Sequence, residues 1–282
     1  MTITLRTLLL RCLGVLSSLA LLVAQPEIGQ AAPQLGVVSL ELSNTDLVPG
    51  SLLEVRYHTS PGTLQGPVDI YFALAVPNNP SLIFLQADGS LSTTGAPFRR
   101  NVTITEETAR IFRGNLVWIP FGHYDCYMLL VQAGSSLDDL NAWVSGISVA
   151  SFFFRPLSQE QLDLIQQRGN PDLLTTTWID IQREKRDTWL YLTSPPTQYV
   201  FVNGALQGQT AVNVTSAGTP PKVDPALFTP QTTKDQLITA FGTPSSVENI
   251  GDTDAYQEVT FTLGLTATFH QGTLIAASTD TP

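Results

Sequence analysis

Three histidines, His58, His123 and His270, are the side chains of this chain best suited to moving protons or holding a metal near neutral pH. They stand far apart, and none sits in a zinc-ligand motif. Asp125 follows His123 by two positions, so on a strand the two would share a face. Without a nucleophile beside them they read as a surface hydrogen bond, and a hydrolase built on His123 and Asp125 is the weakest of the functional readings. The chain has no Gly-x-Ser-x-Gly, no phosphate loop and no dinucleotide fingerprint. Asp138 and Asp139 form either a solvated loop or a weak calcium ligand pair. Cys126 lies in the apolar run Tyr124–Val131, the setting of a buried structural thiol. Asn101-Val-Thr and Asn213-Val-Thr match glycosylation acceptors, which matter only on a eukaryotic secretory route. The expectation is a non-enzymatic protein with no cofactor and no metal.

The residue types that remain suited to recognition are aromatic. In Trp189-Leu-Tyr191 and Tyr199-Val-Phe201, strand alternation sends Trp189, Tyr191, Tyr199 and Phe201 to one face and Leu190, Leu192, Val200 and Val202 to the other. The aliphatic set is expected beneath a helix, leaving the aromatic face to be covered by something else. That cover is either another part of the chain or a protein partner, and Trp178 could join either surface. The mixed-sign run Arg183-Glu-Lys-Arg-Asp187 reads as a solvated strand end or hairpin whose charges could rim the aromatic face.

The elements that must position these residues fall into two patterns. From Val37 to Arg155, eight β-rich runs are punctuated by turn residues: 37–42, 52–58, 68–76, 82–86, 101–105, 110–119, 124–132 and 147–154. In the third, Ile70, Phe72, Leu74 and Val76 take one face while Asp69 and Tyr71 begin the other, the pattern of a half-buried strand. Many short strands at this spacing predict an antiparallel sandwich over 36–156.

Beyond Pro156 the period changes, and one order of events occurs twice. Ser158-Gln-Glu-Gln161 opens a capped helix with an apolar stripe of Leu157, Leu162 and Ile165 that stops at Gly169-Asn-Pro171. Thr233-Lys-Asp-Gln236 opens a second, with Leu237, Ala240 and Phe241, that stops at Gly242-Thr-Pro244. Each is followed by β-rich runs closed by an aromatic and a glycine turn at Gly204 and Gly272. The helix stops are 73 residues apart and the turns 68, the unequal spacing that an old duplication leaves. Val259, Phe261, Leu263, Leu265, Ala267 and Phe269 share one face, and Thr260, Thr262, Thr266, Thr268 and His270 the other. Repeats are expected over 157–210 and 232–278, with 211–231, which holds Gly218, Pro220, Pro221, Pro225 and Pro230, as a linker.

Residues 1–31 behave as a secretory signal: Arg6 and Arg11, an apolar stretch from Leu13 to Ala24, and Gly29-Gln-Ala31 for cleavage. A retained anchor is the alternative; Arg11 interrupts it, and Ser17 and Ser18 weaken it. Cys12 follows Arg11 where lipidation needs a small residue, so lipidation is rejected. Removing Arg6, Arg11 and Glu27 leaves 12 basic against 23 acidic residues, a net charge of −11. That charge argues against nucleic acid and anionic lipid as partners, and no stable membrane span is expected after cleavage. Cys126 would be the one remaining cysteine, so no intramolecular disulfide could form, and about 250 residues leave room for two domains.

Asp69-Ile-Tyr-Phe-Ala-Leu74, the Ala87-Asp-Gly turn and Ile119-Pro-Phe-Gly-His-Tyr124 resemble an immunoglobulin-like module of secreted bacterial proteins, over residues 36–155. Only the architecture is implied, since the disulfide and partner tryptophan of antibody domains are missing. Thr233-Lys-Asp-Gln-Leu-Ile-Thr-Ala-Phe-Gly-Thr-Pro244 with Phe269-His-Gln-Gly-Thr-Leu274 resembles the helix-plus-sheet unit of the small lipoprotein of the outer-membrane β-barrel assembly machinery. The tandem over 158–278 is similar to the β-lactamase inhibitor protein. The chain differs from both in carrying a sandwich in front and in lacking a lipidated cysteine, so those partners do not transfer. The fold expectation is an all-β immunoglobulin-like sandwich followed by α+β tandem helix-on-antiparallel-sheet repeats. The functional expectation is a periplasmic or secreted protein that binds another protein, in the cell envelope or outside the cell, through the repeat sheet. The alternative is a structural secreted domain with no dedicated ligand.

Overall fold

The computed structural model describes residues 36–179, 181–213, 222–251, 255–262 and 264–279. Residues 1–31, expected to be a secretory signal, and Gly218, Pro220, Pro221 and Leu263 lie outside the described residues. In chain order the strands are β1 (Val37–Leu42), β2 (Asp46–Leu47), β3 (Leu52–Ser60), β4 (Val68–Ala75), β5 (Ile83–Leu85), β6 (Leu91–Ser92), β7 (Arg99–Val102), β8 (Glu107–Asn115), β9 (Gly122–Gln132) and β10 (Ser148–Phe154). Helix α1 (Gln159–Arg168) follows, then β11 (Leu173–Ile179), β12 (Glu184–Tyr191), β13 (Thr197–Val202) and β14 (Ala205–Ala211). Helix α2 (Lys234–Phe241) precedes β15 (Ser246–Asn249), β16 (Tyr256–Phe261), β17 (Leu265–His270) and β18 (Thr273–Thr279). The molecule is β-rich and divides into two units, and no helix among the described residues is long and apolar enough to cross a membrane.

The first unit comprises 36–45, 54–113 and 122–153 of the described chain. A three-stranded sheet, β1-β3-β8, packs on a larger one running β10-β9-β4-β5-β6, with β7 on β4. Val38 and Tyr57 on one side meet Val68, Ile70, Met128 and Leu130 on the other. Strand β4 is buried on both faces rather than half-buried. Its second face, with Tyr71 and Ala73, packs with Leu129, Val131, Phe84 and Ala142, so the polar members of the pattern cannot reach water. Asp69 is accordingly satisfied from within, accepting N–H groups of Asn101 at 2.8 Å and Gly134 at 3.1 Å.

The second unit comprises 46–53, 114–121 and the chain from Phe154 on. The segments 46–53 and 114–121, expected within the sandwich, belong here: Gly50 N–H donates to Leu116 O at 2.7 Å, and Leu116 N–H to Ser51 O at 2.9 Å. Eight antiparallel strands form one sheet in the order β14-β13-β12-β11-β18-β17-β16-β15. Each half is one helix followed by four strands, and the halves meet at β11 and β18. Both helices start with a complete capping box, on Ser158 with Gln161 and on Thr233 with Gln236. Both stop at a positive-φ glycine, Gly169 at 76° and Gly242 at 86°. Both last hairpins turn through two positive-φ residues, Asn203-Gly204 and Gln271-Gly272, the backbone of a tight two-residue hairpin turn. The 222–231 part of the expected linker is not a surface loop. Its Val223 and Phe228 are core residues, and a short turn at Pro225–Leu227 is capped by Asp224.

Candidate functional site

The five aromatic candidates are all core. Trp189 and Tyr191 are 0% exposed, Phe201 1%, Trp178 5% and Tyr199 8%. Trp189 tilts against Phe201 at 4.9 Å, and Tyr191 meets Tyr199 edge-on at 5.7 Å. Trp189, Tyr191, Tyr199 and Phe201 pack with Leu157, Leu164 and Ile165 of the α1 region, and with Phe228 and Leu237. The alternation is as expected, but the covered side is reversed: aromatics lie under the helix and the aliphatic set faces out. Volume explains this. The inward stripe of α1 is Leu157, Gln161, Leu164 and Ile165, with Leu162 exposed, and such a thin stripe leaves space that large rings fill. Arg168 closes the end of this face, its guanidinium 4.8 Å from the Tyr191 ring and donating to Tyr199 Oη at 3.1 Å. Tyr191 donates to Gly169 O at 3.0 Å, and burial pushes its hydroxyl well above the ordinary phenol range.

In the run 183–187, Arg183 lies exposed in the β11–β12 turn and Arg186 is exposed, but Lys185 and Asp187 are not solvated. Lys185 and Asp187 are each 1% exposed, because they alternate inward with Trp189 and Tyr191. Lys185 Nζ donates to Asp187 Oδ2 at 2.9 Å, Gln161 Nε2 to the same oxygen at 3.0 Å, and Thr176 Oγ1 to Asp187 Oδ1 at 2.7 Å. Four buried polar side chains thus tie the cap of α1 to β11 and β12.

The opposite face of the sheet carries no helix of the second unit among the described residues. Its strand register builds one transverse row, Gly208, Val200, Thr188, Thr175, Ser278, Thr266, Thr260 and Ser246, crossing all eight strands. The next row is Val202, Arg186, Thr177, Ala276, Thr268, Glu258 and Glu248. Every one of these residues is partly or fully exposed. The face therefore offers a central band of hydroxyls with aliphatic side chains at the first-repeat end.

The remaining candidates lie apart. His58 Nδ1 is 3.2 Å from Thr108 Oγ1, and His270 stacks on Tyr256 at 4.3 Å. His123 Nε2 is 3.5 Å from Asp125 Oδ1, and sequence reasoning missed that Ser151 Oγ donates to that same oxygen at 2.6 Å. Hydroxyl and imidazole address the same carboxylate oxygen, and no hydrogen bond joins the two to each other among the described residues, unlike a hydroxyl poised to give its proton to an imidazole. Burial pushes the Cys126 thiol up to about 12, which keeps it protonated at neutral pH. No family model and no curated protein matches the chain. Among solved structures, the sporulation control protein Spo0M from Bacillus subtilis is similar at 12% identity over 64% of this chain and 83% of that one, with a TM-score of 0.22, too slight a likeness to carry an argument.

Proposed function

We propose that this chain is a non-enzymatic extracytoplasmic protein that binds another protein, in envelope assembly or as an inhibitor, through the uncovered face of its eight-stranded sheet. The observation that carries the reading is that face itself. One side of the sheet is covered by both helices, while the other presents Thr188, Thr175, Ser278, Thr266 and Thr260 in one row beside Leu190, Val200 and Val202, all partly or fully exposed. Short hydroxyl side chains lose little rotamer freedom on contact and can both donate and accept across an interface. The sandwich in front is read as immunoglobulin-like and the tandem halves as relatives of the β-lactamase inhibitor protein, on the motifs quoted above. Residues 1–31 are read as a cleaved export signal, which puts the mature chain in the periplasm or outside the cell. For Trp178, Trp189, Tyr191, Tyr199 and Phe201, burial favours the second reading, in which those rings serve packing alone.

The test is capture of envelope proteins on the mature chain beside a Thr175→Arg, Thr266→Arg variant of equal melting temperature, followed by rebinding of the purified partner. Loss of the partner on the variant, by about 100-fold in affinity, is expected for two charges placed in a desolvated interface centre. Equal binding to both proteins removes the open face from the reading.

A further inference from the structure

The segment 114–121 holds a tryptophan in water on a rigid mount. Trp118 is 57% exposed, although the chain on both sides of it is fixed. Leu116 makes backbone hydrogen bonds to Gly50 and Ser51 at 2.7 and 2.9 Å. Gln231 Nε2 donates to Val117 O at 2.6 Å and to Ile119 O at 2.9 Å, gripping the two carbonyls that flank Trp118. Phe121 stacks on Phe154 at 5.2 Å. Gln231 and Phe121 also line a groove of about 620 Å³, whose floor and walls include Pro156, Leu227, Asp235 and Gln236. That volume lies within the range of ordinary ligand sites, roughly 300–1,000 Å³. Asp235 is the one charged residue of the lining, and its carboxylate makes no hydrogen bond or ion pair among the described residues.

We propose that Trp118 and this groove form a second recognition site, for an extended polypeptide segment that carries a lysine or arginine beside an apolar side chain. An exposed, pre-ordered tryptophan gives an apolar side chain large contact area at little entropic cost, the property that makes tryptophan a frequent hot spot. The groove supplies an apolar wall in Pro156, Leu227 and Phe121 and ends in one carboxylate with no cation of its own. The chain's net charge of −10 adds a field that draws basic segments and repels acidic ones. This site does not share a residue with the open sheet face, so either can fail without the other.

The test titrates the full mature chain with a synthetic peptide of alternating leucine and arginine, and with its glutamate counterpart, following tryptophan emission at low salt. The arginine peptide is expected to bind at least about tenfold tighter than the glutamate peptide, to weaken as salt is raised, and to lose about tenfold on Asp235→Asn. Its emission change is expected to vanish in Trp118→Ala, with the melting temperature of both variants within a few degrees of the parent. Equal affinity for the two peptides, binding of neither, or a signal that survives Trp118→Ala overturns the proposal. Because Thr175→Arg, Thr266→Arg leaves the groove intact, it is expected to bind the arginine peptide like the parent, which separates this site from the sheet-face reading.

Discussion

In the first repeat, β12 sends Lys185, Asp187, Trp189 and Tyr191 into the core; the matching positions of the second are Ala255, Gln257, Val259 and Phe261. The match is fixed by register. Asp187 pairs with Phe201 and Gln257 with Phe269, each aromatic lying three residues before its turn glycine. Asn203 N–H donates to Lys185 O at 2.8 Å, and Gln271 N–H to Ala255 O at 2.8 Å. Both repeats also carry a register shift at the same place in the last hairpin, at Val200/Phe201 and Thr268/Phe269. Caps, helix stops, bulges and turns therefore agree while the interiors do not. The first half links helix to sheet with a buried ion pair and two neutral partners. The second uses a part-buried contact, Lys234 Nζ to Gln257 Oε1 at 2.8 Å, and fills its interior with Val259, Phe261, Leu265 and Ala267. Backbone corners are set by φ/ψ demands that few sequences meet, whereas an interior needs only matched volume and satisfied polar atoms. Two halves of one architecture can therefore differ in the second respect while agreeing in the first.

The ion pair offers the largest lever on that comparison. Asp187→Ala leaves Lys185 charged and unpaired in the core and strips acceptors from Gln161 and Thr176, so a loss of about 3–5 kcal/mol is expected. Gln257→Ala removes a part-buried hydrogen bond from the Lys234 ammonium without burying an unpaired charge, and is expected to cost roughly 1.5 kcal/mol, the low end for a hydrogen bond to a charged group. Denaturant unfolding of the mature chain measures both. Lys185→Met with Asp187→Asn keeps an acceptor for the neutral partners while removing both charges, and is expected to recover most of the first loss. Equal costs for the single variants would mean that the two interiors are energetically alike despite their chemistry.

This contrast also marks what the sequence could reveal. The capping boxes at Ser158 and Thr233 and the stops at Gly169 and Gly242 were legible because a cap is decided within one helical turn. Alternation in β12 and β13 was legible too, but a period of two says which residues share a face and not which face is covered. The cover comes from α1, whose inward stripe includes Gln161 rather than Leu162, and a polar residue in that stripe only makes sense once Asp187 is seen to be buried. A signal for that existed: Lys185 and Asp187 are in phase with Trp189 and Tyr191, so a core role for the aromatics requires one for the charges. The return of 46–53 and 114–121 to the second unit left no local trace, since it rests on hydrogen bonds such as Asn203 Nδ2 to Gly50 O and Gln231 Nε2 to Val117 O, between residues more than a hundred positions apart. Trp118 was hidden for the same reason; its anchor is Gln231, more than a hundred residues away.

The hairpin glycines sharpen the comparison at intermediate size. Gly204 and Gly272 both hold φ near 80°, where an alanine costs about 1–2 kcal/mol. A Cβ on Gly272 would meet open space, while one on Gly204 would come within 2.8 Å of Ser158 Cβ and 2.9 Å of Val48 Cγ2. Gly204→Ala is therefore expected to cost about 1–3 kcal/mol more than Gly272→Ala, the usual penalty of forcing atoms into filled space. Thermal melts that place the two variants together would show that Ser158 and Val48 yield without strain.

The smallest difference belongs to the caps. Thr233 Oγ1 accepts from Gln236 N–H at 3.3 Å, and Ser158 Oγ accepts from Gln161 N–H at the same distance, so each alanine variant forfeits a cap worth about 1 kcal/mol. Ser158 Oγ also donates to Gly204 O at 2.6 Å, joining the start of α1 to the last turn of its own repeat. No corresponding donation from Thr233 to the Gly272 turn is made among the described residues. Ser158→Ala is thus expected to exceed Thr233→Ala by roughly 0.5–1.5 kcal/mol, the net worth of one further hydrogen bond. A double variant with Gly204→Ala should then fall short of the sum of its parts, since the alanine at 204 already crowds the serine and disturbs the bond it makes. Additive losses would instead show that the turn and the cap are held independently, as they are in the second repeat.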